Sequence, residues 1–383
     1  ALDLGIYPGG SKPGEVSSLW VEVYEGDGLV YRHEAQMQKE SVTVHLKIPN
    51  FHKWSPEDPF LYGLRVGLGE DVVESYFAMR VFTKEPDTKD EKGILRPFLN
   101  NRPYLQKGVL DQGYWPDGLY TAPTDEALEF DIKEMKRLGF NMLRKHIKIE
   151  PERWYYHCDR LGMVVWQDMV NGGESYDMKR LCYLPTVLPK LTEGKSWSAA
   201  AAGRKNMKGC QEWLAECRET IRTLYNSPCV GAWVIFNEGW GQFATEPVTR
   251  MVKKADPSRP VDSASGWFDC GCGDIKSVHN YFETLICPKD RRTGKIEEAR
   301  ACVISEYGGL ALAIEGHLSS DRVYGYRKLK TGEEFQRRYE QFQSQLKKLQ
   351  REGLSAAIYT QVSDIEDEIN GIYTYDRKVC KLQ

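Results

Sequence analysis

From Tyr104 onward, short apolar runs alternate with segments of helical period, the pattern of a parallel α/β architecture. Tyr104–Val109 reads as the opening strand. A helix follows Thr124, with Asp125 and Glu126 in its first turn, Leu128, Ile132, Met135 and Leu138 on one face, and Gly139 as its stop. Phe140–Arg144 is the next strand, followed by a helix opened by Pro151 and the strand Met163–Trp166. A helix through Trp213, Cys217, Ile221 and Leu224 leads into Val230–Phe236, and short strands are expected near Val261, Val278 and Val303. A last helix carries Phe335, Tyr339, Phe342, Leu346 and Leu349 ahead of the strand Ala356–Tyr359. Eight strands fit this pattern, which favours a closed (β/α)8 TIM barrel over an open doubly wound sheet.

The stretch from Val16 to Phe82 behaves differently. Its runs Leu19–Tyr24, Val42–Ile48 and Leu61–Leu68 alternate apolar and polar residues between Gly, Pro, Asn and Asp, as strands with one buried face do. A small β-sandwich is expected over residues 1–88. Lys84–Gly93, charged and punctuated by Pro and Gly, reads as an exposed linker, leaving residues 89–383 for the barrel. A chain of 383 residues has room for one barrel-sized domain and one smaller module.

Composition narrows the chemistry. The net charge of -3 comes from 52 basic and 55 acidic residues mixed along the chain, which leaves no basic field for nucleic acid or an anionic membrane. No apolar run is long enough to span a bilayer, and Ala1–Leu4 does not open a signal peptide. Cys270 and Cys272 lack the spacing and the second pair of a zinc site, so no metal is expected. The 10 Trp and 21 Tyr supply flat rings suited to stacking on sugars, although most such rings serve packing. Compartment and oligomeric state stay unread.

In a barrel the working side chains stand at the C-terminal ends of the strands, so polar residues that end apolar runs are the candidates. Glu238 follows Phe236-Asn237, and Glu306 follows Cys302-Val303-Ile304-Ser305. A lone Glu in such a place more often caps a helix or pairs with an Arg. Two of them suggest glycoside hydrolysis, which needs one protonated carboxyl to expel the leaving alcohol and one ionised carboxylate on the other side of the scissile bond. Asn237 is placed to bind a sugar 2-hydroxyl. The long stretch Val170–Arg204 after the third strand falls on the same face, as a lid, a substrate wall or a passive insertion.

Phe236-Asn237-Glu238-Gly239-Trp240-Gly241-Gln242 and Ile304-Ser305-Glu306-Tyr307-Gly308-Gly309 resemble the acid/base and nucleophile motifs of glycoside hydrolase family 2. Trp54–Tyr62 is similar to the end of that family's immunoglobulin-like domain, and Arg102–Val109 to its opening barrel strand. The resemblance implies an immunoglobulin-like β-sandwich ahead of a catalytic TIM barrel, with Glu238 as acid/base and Glu306 as nucleophile of a retaining β-glycosidase that needs no cofactor. It further implies substrate-binding roles for Asn237, Arg144, Tyr281, His279, Trp240, Asp168 and His146, with Arg144 keeping Glu306 ionised. Glu238 would carry a raised pKa, from the Glu306 charge and aromatic surroundings such as Trp240.

Several features depart from the family. Leu110-Asp111-Gln112 stands where Asn and then a His-acid pair are common, and Tyr359-Thr360-Gln361 stands where a Trp usually ends the eighth strand. Trp166-Gln167-Asp168 matches the third-strand pattern only in part, and His146 lies outside its usual context. The Asn-x-Lys motif that recognises glucuronic acid is not found after the eighth strand. A jelly-roll domain usually precedes the sandwich, so the chain is expected to be truncated at its N-terminus. The expected partner is a carbohydrate, with a β-galactoside placed first. The alternatives are a non-catalytic carbohydrate-binding or scaffold protein on a degenerate barrel, and a metal-assisted hydrolase.

Overall fold

The computed structural model describes residues 2–8, 17–37, 41–88, 93–183, 193–289, 296–297 and 299–382. It forms two compact units, Ala1–Arg80 and Val81–Gln383.

The first unit is built from antiparallel strands. Gly28–Met37, Ser17–Glu25, Tyr62–Leu68 and Asp71–Phe77 form a four-stranded sheet in that order, and Leu2–Ile6 pairs with Val42–Leu46. The expected alternation is present: Leu19, Val21, Val23, Val44, Leu46, Tyr62, Leu64 and Phe77 share one buried core. Both sheets contribute to that one core, so they pack face to face as a sandwich.

The second unit begins earlier than the expected division. Phe82–Pro86, whose last three residues were read from sequence as the start of the linker, is a strand paired with Leu95–Leu99, which in turn pairs with Arg102–Pro103. Phe82, Phe98 and Leu99 are buried, so this segment is packed rather than an exposed linker. Arg96 donates to the carbonyls of Gln350 and Leu354 at 3.1 and 3.0 Å, and Lys84 to that of Ala299 at 3.0 Å, tying the hairpin to the N-terminal end of the barrel. Residues 89–92 of the expected linker lie outside the described residues.

Eight parallel strands follow: β1 (Gln106–Asp111), β2 (Met142–Lys145), β3 (Val164–Asp168), β4 (Val230–Asn237), β5 (Val261–Ser265), β6 (Ile275–Asn280), β7 (Ala301–Gly308) and β8 (Leu354–Thr360). Their order, β5-β4-β3-β2-β1-β8-β7-β6, is a near-closed TIM barrel whose unladdered seam lies between β5 and β6. Every residue of β2, β3, β4, β5, β7 and β8 is buried, which is why these runs read as continuously apolar rather than alternating.

The four expected helices form where caps and periodicity placed them, and two more, Ser196–Ala201 and Thr245–Ala255, were not expected. In α1 (Asp125–Arg137) the Thr124 side chain accepts from the Ala127 amide at 3.2 Å, and Leu128, Ile132 and Met135 face inward. The α2 helix (Glu152–Leu161) starts after Pro151 and stops at the left-handed Gly162. The α3 helix (Ser196–Ala201) lies within the long stretch after β3, residues 184–192 of which lie outside the described residues. The α4 (Met207–Leu224), α5 (Thr245–Ala255) and α6 (Gly332–Glu352) helices complete the barrel wall, and α6 buries Phe335, Phe342, Leu346 and Leu349. Among the described residues no helix is long and apolar enough to cross a membrane.

Candidate active site

The C-terminal strand ends converge on one cluster of polar side chains. At its centre Arg144, at the third position of β2, is wholly buried. Its Nε and Nη2 donate to the two oxygens of Asp168, each at 2.9 Å, a bidentate pair between β2 and β3. Nη2 also reaches Asn237 Oδ1 at 2.8 Å, and Nη1 reaches Glu306 Oε1 and the Ser305 carbonyl, both at 3.1 Å. One guanidinium therefore fixes residues from β3, β4 and β7. Burial pushes the Asp168 carboxyl up, but the Arg144 charge and His146 outweigh it and hold Asp168 below the usual range. His146 Nδ1 lies 3.1 Å from Asp168 Oδ2, the oxygen that Arg144 Nη2 also reaches.

Glu306 is held on both oxygens. Oε1 accepts from Arg144, and Oε2 accepts from the Tyr281 hydroxyl, which also lies 3.3 Å from Thr360 Oγ1 at the end of β8. Burial first, and then the Glu306 charge, raise the Tyr281 phenol well above its ordinary value, so it remains a donor. A register shift between Val278 and His279 sets His279 opposite Glu306 across the β6–β7 ladder.

Glu238 occupies the corner just past β4 with a left-handed φ of 53°, a conformation uncommon outside glycine and typical of over-determined functional turns. Gly239 continues the corner at φ 77°, and a Cβ there would stand 2.4 Å from the Phe268 ring, so no other residue fits without displacement. The turn brings Glu238 Oε1 to 2.7 Å from His279 Nδ1. His279 Nε2 lies 3.0 Å from Ser265 Oγ across the β5–β6 seam and 3.4 Å from Glu306 Oε1. The imidazole thus bridges the two carboxylates.

These neighbours titrate in opposite directions. Burial pushes the Glu238 carboxyl up to about 7, against the opposing charges of His146 and Arg144. Burial is thus the chief cause, rather than the Glu306 charge and Trp240 surroundings expected from sequence. His279 is pushed down to about 4 by burial, which exceeds the pull of the Glu306 charge, and its ring is neutral at pH 7. One oxygen of each glutamate and one His279 nitrogen all lie within 4.8 Å of one another. Among the described residues this trio is also the one His/Cys/Asp/Glu group close enough to hold a metal ion, although both imidazole nitrogens already face hydrogen-bond partners.

Arg144, Asp168, His146, Asn237, Glu238, His279, Tyr281 and Glu306 are thus brought together. Trp240 takes a wall position: it stacks on Tyr176 at 5.7 Å and packs against the small core of Leu181, Ala201 and Phe268. Ser265, Thr360 and Tyr326 join the site without having been singled out from sequence. Ser265 and Thr360 end strands and satisfied the rule that marked the glutamates. Tyr326, stacked on Tyr281 at 3.8 Å and 7°, comes from a connection with no periodic signal.

Residues 97–380 match the family described as "Glycosyl hydrolases family 2, TIM barrel domain", and residues 13–80 match "Glycosyl hydrolases family 2". The chain belongs to glycoside hydrolase family 2. Within the family, it is 27% identical over 245 residues to a β-galactosidase of Leuconostoc mesenteroides, covering 61% of this chain and 20% of that protein. It is 29% identical over 250 residues to a β-galactosidase of Aeromonas hydrophila, covering 65% of this chain and 21% of the other. The chain spans about a fifth of the length of these curated relatives. Among solved structures, a family 2 β-galacturonidase from Eisenbergiella tayi bound to galacturonate superposes with a TM-score of 0.66 at 20% identity, over 96% of this chain and 65% of that one. At that identity the likeness speaks for the fold.

Proposed function

We propose that this barrel is a retaining β-glycosidase that works by double displacement, with Glu306 as nucleophile and Glu238 as general acid/base. The approach of the two carboxylates carries the reading: an oxygen-to-oxygen distance within 4.8 Å is close to the roughly 5–5.5 Å of retaining enzymes and short of the about 6.5–9.5 Å that leaves room for an inverting water. The split in their environments supports the same roles. Glu238, raised to about 7, holds a proton for the leaving oxygen, while Arg144 and Tyr281 stabilise negative charge on Glu306.

In the first step Glu306 bonds to the anomeric carbon as the glycosidic C–O bond breaks, and the departing oxygen takes the proton of Glu238. In the second, Glu238, now ionised, removes a proton from water, whose oxygen attacks the anomeric carbon and releases Glu306. Asn237, held by Arg144, is placed for the sugar 2-hydroxyl. The route draws on no metal or organic cofactor. Two relatives named β-galactosidase favour a β-galactoside as substrate.

The test is hydrolysis of a panel of aryl β-glycosides by the chain and by Glu238→Ala and Glu306→Gln, with the anomer of the first product followed by NMR. Expected are a product of retained configuration, loss of turnover by at least about a thousandfold in Glu306→Gln, and rescue of Glu238→Ala by azide on an activated substrate. Unchanged turnover in Glu306→Gln, or an inverted product, would overturn the proposal.

A further inference from the structure

Beyond Glu238, Glu306 and the Arg144-bound Asp168, a further carboxylate stands near the site that the double-displacement reading does not use. Glu368 lies on the connection that follows β8 and is half-buried. Three side-chain amides lead to it in series: Gln112 Nε2 donates to Gln361 Oε1 at 2.8 Å, Gln361 Nε2 to Asn370 Oδ1 at 2.7 Å, and Asn370 Nδ2 to Glu368 Oε1 at 3.0 Å. Gln361 and Asn370 are 1% and 0% exposed, so the relay is buried and its direction is fixed. Each amide donates to the next, and a chain with that polarity ends on an acceptor.

Glu368 is joined to the proposed reaction centre by geometry: its backbone bridges to Tyr324, whose ring meets that of Tyr326 at 6.0 Å, Tyr326 stacks on Tyr281, and Gln361 of the relay follows Thr360, whose Oγ1 lies 3.3 Å from the Tyr281 hydroxyl. The Glu306 charge raises its pKa and His146 lowers it, and Glu368 in turn acts on Tyr324 and on Tyr326, the ring stacked over Tyr281. Among the described residues no cation pairs with Glu368, and Oε2 accepts no hydrogen bond from the protein. Arg144 is tied to Asp168, Asn237 and Glu306, and His146 to Asp168. An aligned, partly desolvated carboxylate with a free oxygen accepts well from a sugar hydroxyl. It repels a second carboxylate, and screening inside a pocket is weak.

Resting on the glycosidase reading above, we propose that Glu368 is a specificity-determining residue that hydrogen-bonds a hydroxyl of a neutral glycone and rejects uronic acid glycosides. The site would then differ in substrate class from the β-galacturonidase that shares its fold.

The test compares matched aryl glycosides that differ only at C6, galactoside against galacturonide and glucoside against glucuronide, at pH 7. The wild-type chain should favour the neutral member by at least about a hundredfold in kcat/KM, as expected of a like-charge clash in a desolvated site. In Glu368→Gln that ratio should narrow by at least about tenfold, through a higher KM for the neutral sugar and a gain on the uronide. A merely structural role would weaken both members equally and leave the ratio unchanged, which would overturn the proposal, as would a wild-type preference for the uronide. If no glycoside is turned over, the glycosidase reading fails. Calorimetric binding of a neutral isofagomine and its carboxylate analogue then reads the discrimination alone, supporting the proposal if wild type prefers the neutral compound and Glu368→Gln narrows the gap, and overturning it otherwise.

Discussion

Arg144 and Lys145 are consecutive residues of β2, both fully buried, and each is surrounded by acidic partners, yet they face opposite sides of the barrel wall. Arg144 points to the mouth and binds Asp168, Asn237 and Glu306. Lys145 points outward, where Nζ meets Asp111 at 2.7 Å, Glu150 at 3.0 Å and the face of Trp154 at 4.2 Å. In both, burial opposes the charge and the acidic partners prevail, lifting each cation above its ordinary value. A buried ion cluster is therefore no mark of a site by itself. What separates the two is the next group out. Beside the Arg144 cluster stands Glu238, still 14% exposed and poised near neutral pH, whereas Glu150 is closed in by a second cation, Lys148, at 2.9 Å.

The largest expected effect tests that difference directly. Arg144→Lys keeps the charge but loses the fork that reaches three partners, so kcat/KM should fall by about a thousandfold or more while circular dichroism stays native. Lys145→Met should do the reverse: activity within about threefold of wild type, but stability lower by about 3–5 kcal/mol in urea unfolding, because Asp111 and Glu150 lose a buried partner. If Lys145→Met silenced the enzyme without destabilising it, the two clusters would not divide into function and support as argued.

A smaller effect is expected at Asp262 in β5, which has 1% exposure and forms no salt bridge among the described residues. Burial raises its carboxyl to about 6, with the Ser277 hydroxyl and the Arg144 charge pulling the other way. A folded-state pKa above the unfolded value means that the group contributes stability at low pH and loses it as pH rises through about 6. Asp262→Asn should therefore stabilise the chain at pH 7.5 by about 2–3 kcal/mol, and thermal melts should show the gain shrinking as pH falls toward 4. A variant less stable at pH 7.5 would mean that the ionised carboxylate has a supporting role inside the barrel.

How far these features could be read beforehand depends on the range of the interactions. Eight strands, α1 with its Thr124 cap and the strand-end position of both glutamates were legible, because burial on both faces and local capping leave a mark in the sequence itself. The hairpin Phe82–Leu99 was not: Lys84, Glu85 and Pro86 carry the composition of a linker, and contacts with residues far along the chain, such as Ala299, Gln350 and Leu354, make it part of the barrel. The same holds at the site. Arg144 and Asn237 could be placed by motif, but the Gln112–Gln361–Asn370–Glu368 relay joins the first and last barrel strands, neighbours in space but about 250 residues apart in sequence, and none of the four sits in a pattern that announces the others. The cause assigned to the Glu238 pKa also shifted, since burial is a property of the assembled mouth.

The finest distinction is between what holds Glu306 and what tunes Glu238. Tyr281→Phe removes the hydroxyl that donates to Glu306 Oε2 and leaves Arg144 in place on Oε1, so the nucleophile is less well oriented but still paired. A loss of about tenfold in kcat, with little change in KM, matches one hydrogen bond to a charged group. The pH profile adds the sharper constraint. With Glu238 as the proposed general acid, kcat/KM should fall as pH rises through about 7. That limb should stay where it is in Tyr281→Phe, since desolvation sets it and neither Tyr281 nor Glu306 is among its main causes. A limb displaced by more than about half a pH unit would mean that the two carboxylates titrate as one coupled system through His279, and that the proton assigned to Glu238 belongs to the pair.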